Sequence, residues 1–238
     1  MTHIKLYIYR LISISNTRFM FSSMLLLSFL MLSCTTNNQP LEAITTANET
    51  LPFFNTPDWT PEWIEKKDSQ YQQIHQIPAF IFKDQEGEMI SNKTVNGKIY
   101  IANFFFTTCR GICPKMTSNM YLLQEAFNLD STILFLSHSV TPDSDSVAIL
   151  KKYAIENKVN SKQWHLLTGS KNDIYDLAKK QYFAGDTIGY YQTGNEFLHT
   201  ENFILIDKKQ RIRGVYNGTL LVEIERIKED IAILKKEQ

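Results

Sequence analysis

Cysteine is scarce in this 238-residue chain, with three in all. That excludes the disulfide-dense scaffolds of small secreted domains and makes each thiol worth locating. An excess of either charge is also lacking, since Lys+Arg and Asp+Glu are 25 each. No net field therefore draws the chain to nucleic acid, and no Lys/Arg run interleaved with aromatics supplies a local one. Internal repeats and low-complexity segments are missing too. The stretch "FMFSSMLLLSFLMLS", Phe19–Ser33, falls short of the roughly 20 apolar residues that a membrane-spanning helix needs. What remains is ordinary globular material, 43% hydrophobic and 21% charged. The length suits one full domain with a tail rather than two large domains.

The N-terminus reads as a targeting segment. Lys5, Arg10 and Arg18 precede the Phe19–Ser33 run, as in the positive and apolar regions of a signal peptide. The following "MLSC" resembles the bacterial lipoprotein signal, in which the cysteine is lipidated and becomes the first residue; here that is Cys34. Met31 stands where the signal usually has Leu. An uncleaved membrane anchor is the alternative. Either reading tethers the domain to a membrane and places it outside the cytoplasm, in a bacterium the periplasm. The expected layout is a signal peptide over 1–33, a lipidated polar tether over 34–57, and one domain over 58–238. "DWTPEWIEKKDSQYQQIHQ" is expected to form a short helix with Pro61 in its first turn. Trp59 and Trp63 are expected to pack on the domain rather than bind a ligand.

From Ile77 the pattern alternates between strand and helix. "PAFIFKDQEGEMI" reads as two short strands turning at Gly87. "KIYIANFFF" is a nearly continuous apolar run, as expected of a strand buried on both faces. Pro114 opens a helix with Met116, Met120, Leu123 and Phe127 on one side. "TILFLSHSV" and "QWHLLTG" follow as strands, each trailed by a helical segment. "FAGDTIGYYQTGNEFLH" reads as an inserted hairpin or excursion. "NFILID" and "RIRGVYNG" pair as a hairpin, and a last helix from about Thr219 aligns Leu220, Ile224, Ile227, Ile231 and Leu234. The expected architecture is one α/β domain, a mostly parallel sheet with an antiparallel hairpin at its edge.

The two remaining cysteines stand four apart, Cys109 just past a central strand and Cys113 at the start of the next helix. Open α/β sheets place ligands at this position. Residues so spaced on a helical turn lie about 6 Å apart, within disulfide reach, and a helix N-terminus favours a thiolate. A structural disulfide, a redox pair and a metal clamp all remain open. Two thiolates suit a soft ion such as Cu(I), and a nitrogen ligand would broaden the site to Cu(II). Of five histidines, His3 lies in the signal, His75 precedes the core, and His138 and His165 sit at or within strands, where a packed or hydrogen-bonded role is the default. His199 differs, standing in the loop before a core strand. Three such ligands are one short of a closed structural zinc site.

At these residues the chain resembles the SCO/SenC family of thioredoxin-like copper proteins, whose signature runs F-x-[YF]-T-x-C-x-x-x-C-P. Phe104, Phe106, Thr107, Cys109, Cys113 and Pro114 fit it. "SVTPDSDS" matches a family segment through Val140, Pro142 and Asp145, with Thr141 where the family has Asp. "WHLLTGS", "HTENFILID" and "GVYNG" also fit, so the resemblance covers roughly Ile77 to Leu234. It implies a thioredoxin-like fold with a central mixed sheet and a copper site, for Cu(I) or Cu(II), made by Cys109, Cys113 and His199. It also implies a membrane-tethered metallochaperone that delivers copper to the dinuclear copper site of cytochrome c oxidase, or reduces its thiols. The partners would be the oxidase's copper-site subunit and a thiol reductant. A thiol–disulfide oxidoreductase, with Cys109 and Cys113 as its redox pair, is the competing expectation, although its usual marker is C-x-x-C. A redox or copper sensor without delivery is a third.

Overall fold

Continuous apolar runs need cover on both faces, and the computed structural model, which describes residues 50–185 and 200–237, puts them at the centre of one sheet. All the described residues belong to the compact unit Asn48–Gln238. In chain order the elements begin with β1 (Phe53–Phe54), β2 (Pro61–Glu62), β3 (Ile81–Lys83), β4 (Met89–Ser91) and the single-turn α1 (Asn92–Val95). The centre follows as β5 (Ile99–Phe105), α2 (Cys113–Ala126), β6 (Ile133–Ser139), α3 (Val147–Glu156) and β7 (Trp164–Leu167). Last come α4 (Lys171–Asp176), which runs on as a π-helical turn over Leu177–Gln181, then β8 (Asn202–Ile206), β9 (Ile212–Asn217) and α5 (Leu221–Lys236).

The five-stranded sheet has the order β7-β6-β5-β8-β9. β5, β6 and β7 are parallel, and the β8–β9 hairpin adds antiparallel to β5. Every residue of β5, β6 and β7 is buried. The alternation of side chains across the sheet divides the core in two. One face gathers Ile99, Ile101 and Phe105 with the apolar sides of α2, α3 and α5 and with both cysteines. The other gathers Tyr100, Ala102 and Phe104 with α4, the β3–β4 hairpin and α1. The β3–β4 turn holds Gly87 at φ +83°, a left-handed conformation that glycine adopts without a Cβ clash.

Three expectations need correction. Residues 58–76 do not form one helix: Pro61–Glu62 pairs with Phe53–Phe54 as a two-residue strand, and only Ser69–Gln73 turns, as a 3-10 helix. The domain's packing starts ahead of residue 58, because Leu51 and Phe53 are already buried. Leu220 is 48% exposed at the N-cap of α5, so the buried stripe there is Ile224, Ile227, Ile231 and Leu234. Trp59 does pack on the domain, against Phe54 and Phe183, whereas Trp63 is 54% exposed. Most of the excursion before His199 lies outside the described residues.

Candidate functional site

The C-terminal end of β5 delivers the chain into a turn, and Cys113 with Pro114 then opens α2. Proline suits this first turn because its missing N–H would have had no helical partner. Cys109 and Cys113 are both buried, both free thiols, and share the apolar cluster on the α2–α5 face. They are hydrogen-bonded to each other, and their acidities are pulled apart. Burial alone would raise the Cys109 thiol, but hydrogen bonds from Cys113 and from the backbone at Cys113, Gly111 and Ile112 outweigh it and hold its pKa below the ordinary value. Cys113 is pushed up to about 12, first by burial and then by its hydrogen bond to Cys109. The pair thus has one sulfur, Cys109, that gives up its proton more readily than an ordinary thiol and one, Cys113, that holds its proton more tightly.

A carboxylate anchors the loop that carries Cys109. Asp145 is 1% exposed and accepts the Thr107 N–H at 3.2 Å and the Thr107 hydroxyl at 2.6 Å. The Ser139 hydroxyl reaches it at 2.6 Å and the Thr141 hydroxyl at 2.9 Å. Asp145 therefore ties together the ends of β5 and β6 two residues before Cys109. Thr141, which departs from the family pattern, is a member of this network. Neither role was legible in residue types alone, because each needs the two strand ends side by side. Tyr153 of α3 lies near the same thiols; burial raises its hydroxyl pKa, opposed by a 2.8 Å bond with the Thr117 hydroxyl, with the two cysteines and Asp145 adding to the rise.

None of the described histidines joins the cysteines. His75 Nε2 bonds the Gln181 carbonyl at 2.8 Å, and His165 Nδ1 bonds Asp84 at 2.9 Å. His138 is fully buried on the opposite sheet face among Phe80, Phe82, Phe104 and Tyr182. Among the described residues no group of three His, Cys, Asp or Glu could hold a metal. His199 and Cys34 lie outside the described residues. Thr200, where the described chain resumes, leads into β8, whose Phe203 shares the cysteine cluster. Gly218 N–H donates to the Glu201 carbonyl at 2.7 Å, and Asn119 of α2 donates to the Gly218 carbonyl at 2.8 Å. The start of β8 is thereby fastened to the helix that begins with Cys113. Among the described residues the two sulfurs have no carboxylate grouped with them as a metal ligand, and two sulfurs form a soft donor set, which fits a soft metal ion better than a hard cation.

The family model described as SCO1/SenC matches residues 68–235. A curated relative, the SCO1 protein homolog of Bacillus subtilis (strain 168), is 30% identical over 161 residues, 66% of this chain and 81% of the relative. A solved SCO1/SenC family lipoprotein from Bacillus anthracis str. Ames is 28% identical with a TM-score of 0.60, covering 73% of this chain and 100% of that one. BsSco, solved as a member of the Sco family of cytochrome c oxidase assembly proteins with a disulfide switch, is 27% identical with a TM-score of 0.58, covering 69% and 96%. The copper-bound ScoI of Bradyrhizobium japonicum, at 21% identity and a TM-score of 0.53 over 66% and 98%, shares the fold.

Proposed function

This chain belongs to the SCO1/SenC family, and we propose that it is a membrane-tethered copper chaperone acting in cytochrome c oxidase assembly. The observation that carries this reading is the buried, free thiol pair at the start of α2, with the Cys109 thiol held more acidic than usual. Relatives point the same way: BsSco is an oxidase assembly protein, and the Bradyrhizobium ScoI was solved with copper. Copper is here cargo, not a resident cofactor. Cys109 and Cys113 supply two soft ligands, and His199 supplies the third, as the resemblance to the family implies. Three ligands leave the ion open to a partner's cysteines, so release proceeds by ligand exchange with the oxidase's copper-site subunit. The thiols must be reduced to load, which calls for a dedicated thiol reductant.

A second reading has its own support in the unequal acidities of the two thiols. A thiol–disulfide oxidoreductase needs that arrangement: the Cys109 thiolate attacks a substrate disulfide, expelling one substrate thiolate and leaving a mixed disulfide. Cys113, once deprotonated, then attacks the Cys109 sulfur, closes the Cys109–Cys113 disulfide and frees the second substrate thiol. The substrate is reduced by two electrons and the pair is oxidised by two.

Residues 1–33 are assigned as the signal, Cys34 as the lipidated residue and the stretch before Thr50 as the tether, with the domain outside the cytoplasm. A solved family member from Bacillus anthracis str. Ames is itself described as a lipoprotein, which supports this reading. The test is anaerobic Cu(I) titration of the reduced full chain beside Cys109→Ala and Cys113→Ala. Tight binding of one ion, lost in each variant, is expected; unchanged affinity in either variant refutes the ligand assignment.

A further inference from the structure

The end of the sheet opposite the cysteines carries a cavity of about 720 Å³ that copper handling does not use. β8 runs antiparallel to β5 with Ile206 opposite Tyr100, so the turn after Ile206 lies at the N-terminal end of β5. Cys109 follows the other end of β5, and the strand between, Tyr100 to Phe105, spans about 17 Å. The cavity lies against this turn and against the segment by which the chain enters the domain, since Thr50 and Leu51 line it.

Its floor is an ion network that is already closed. Asp207 pairs with Arg211 at 2.7 Å and Arg213 at 3.3 Å, and Arg213 also pairs with Glu237. Phe53 and Tyr71 meet edge to face, and Arg211 lies over both rings, 4.7 Å and 5.1 Å from their centres. The walls bring one carboxylate, Glu65, which pairs with Lys67, and two further cations that the floor does not neutralise. Lys208 and Lys209 make no ion pair with a carboxylate among the described residues, and the Lys209 ammonium sits 5.7 Å over Tyr71. Lys66 lines the opposite side. The local potential is positive enough to register on Tyr71: burial would raise its hydroxyl pKa, yet Arg211, Lys209 and Lys66 hold it below the ordinary value. Beside these charges Trp63 lines the cavity while 54% exposed.

We propose that this cavity is a membrane-docking site, where the phosphate of an anionic phospholipid sits among Lys66, Lys208 and Lys209 and Trp63 meets the acyl boundary. Amphipathic indoles favour that boundary, and clustered lysines favour an anionic leaflet. The proposal rests on the tether of the preceding reading. The described chain enters the domain at Thr50 and Leu51, which line the cavity, so the tethered end of the domain is the end that carries it. Docking by this end turns the thiol pair away from the membrane, toward the part of a client that stands clear of it.

The test is tryptophan fluorescence of the full chain reconstituted in vesicles whose phosphatidylglycerol carries brominated acyl chains. Trp63 is quenched in these vesicles, and the quenching is absent in Trp63→Phe. Each lysine near an anionic surface shifts the seated fraction about fivefold, so Lys208→Ala with Lys209→Ala lowers the seated-to-free ratio about 25-fold and removes most of the quenching. Quenching that survives this double variant, or is equal with brominated phosphatidylcholine alone, or is the same in Trp63→Phe, overturns the proposal. Relief of quenching by inorganic phosphate at constant ionic strength would identify a soluble-anion site and overturn it as well. Copper uptake by the same samples separates the two readings: loading without quenching refutes docking alone, and quenching without loading refutes the chaperone alone.

Discussion

Removing the Asp145 carboxylate will both destabilise the fold and release the loop that holds Cys109. Its two oxygens accept four bonds of 2.6–3.2 Å from Thr107, Ser139 and Thr141 in a setting 1% exposed. Hydrogen bonds to a charged group contribute about 1.5–3 kcal/mol each, and they are not additive within one network. Asp145→Ala strands an N–H and three hydroxyls without their acceptor, and the expected loss is about 3–5 kcal/mol, as for other broken buried networks. Asp145→Asn keeps the shape. Its amide oxygen can still serve Thr107 N–H, Ser139 and Thr141, while its NH2 faces the Thr107 hydroxyl, so about 1–2 kcal/mol is expected. Equilibrium urea unfolding of the reduced chain measures both values, and the rate of Cys109 alkylation under native conditions reports the loop. A loss below about 1 kcal/mol for Asp145→Ala, with the Cys109 rate unchanged, would refute this account of how the loop is held.

The other predictions concern charge states. Because the Cys109 thiol is held below its ordinary pKa and Cys113 is pushed to about 12, iodoacetamide near pH 7.5 should modify Cys109 first; peptide mass spectrometry that finds Cys113 modified first contradicts the assignment of the attacking sulfur. His138 predicts a pH effect, since burial lowers its pKa from 6.5 to about 4 against the opposing pull of the backbone at Asn103 and Leu136, with Phe80, Phe82, Phe104 and Tyr182 around the ring. A base whose folded pKa is the lower one leaves stability whole above pH 6.5 and loses it as the pH falls from 6.5 toward 4, here by about 3 kcal/mol in all. His138→Phe should flatten that part of the urea profile relative to the parent, and parallel profiles would show that His138 is not its source.

How far the sequence led depended on whether a feature was local. β5 was legible because a strand covered on both faces must be apolar throughout, and Ile99–Phe105 is. α5 was legible because Ile224, Ile227, Ile231 and Leu234 repeat at helical spacing. The pairing of Phe53 with Glu62 was not, since a two-residue strand has no period and Pro61 reads equally well as a helix start. The cysteines were found from spacing and from the apolar run before them. Their unequal acidities were not, because these arise from backbone N–H groups aimed at one sulfur and from burial of the other. Asp145 showed only as a match to a family segment; its work lies in binding Thr107, 38 residues away in the chain, together with Ser139 at the end of β6. His199 and Cys34 were named from the sequence and lie outside the described residues, so their roles stand as proposals.

The most direct test of the copper reading is the metal content and Cu(II) absorption of the reduced full chain, set beside His199→Ala. The account predicts one copper per chain, a thiolate-to-copper charge-transfer band, and a variant that loses Cu(II) affinity far more than Cu(I) affinity, because two thiolates still hold Cu(I). A chain that takes up no copper but turns over a disulfide substrate would contradict it and place the protein among the thiol–disulfide oxidoreductases.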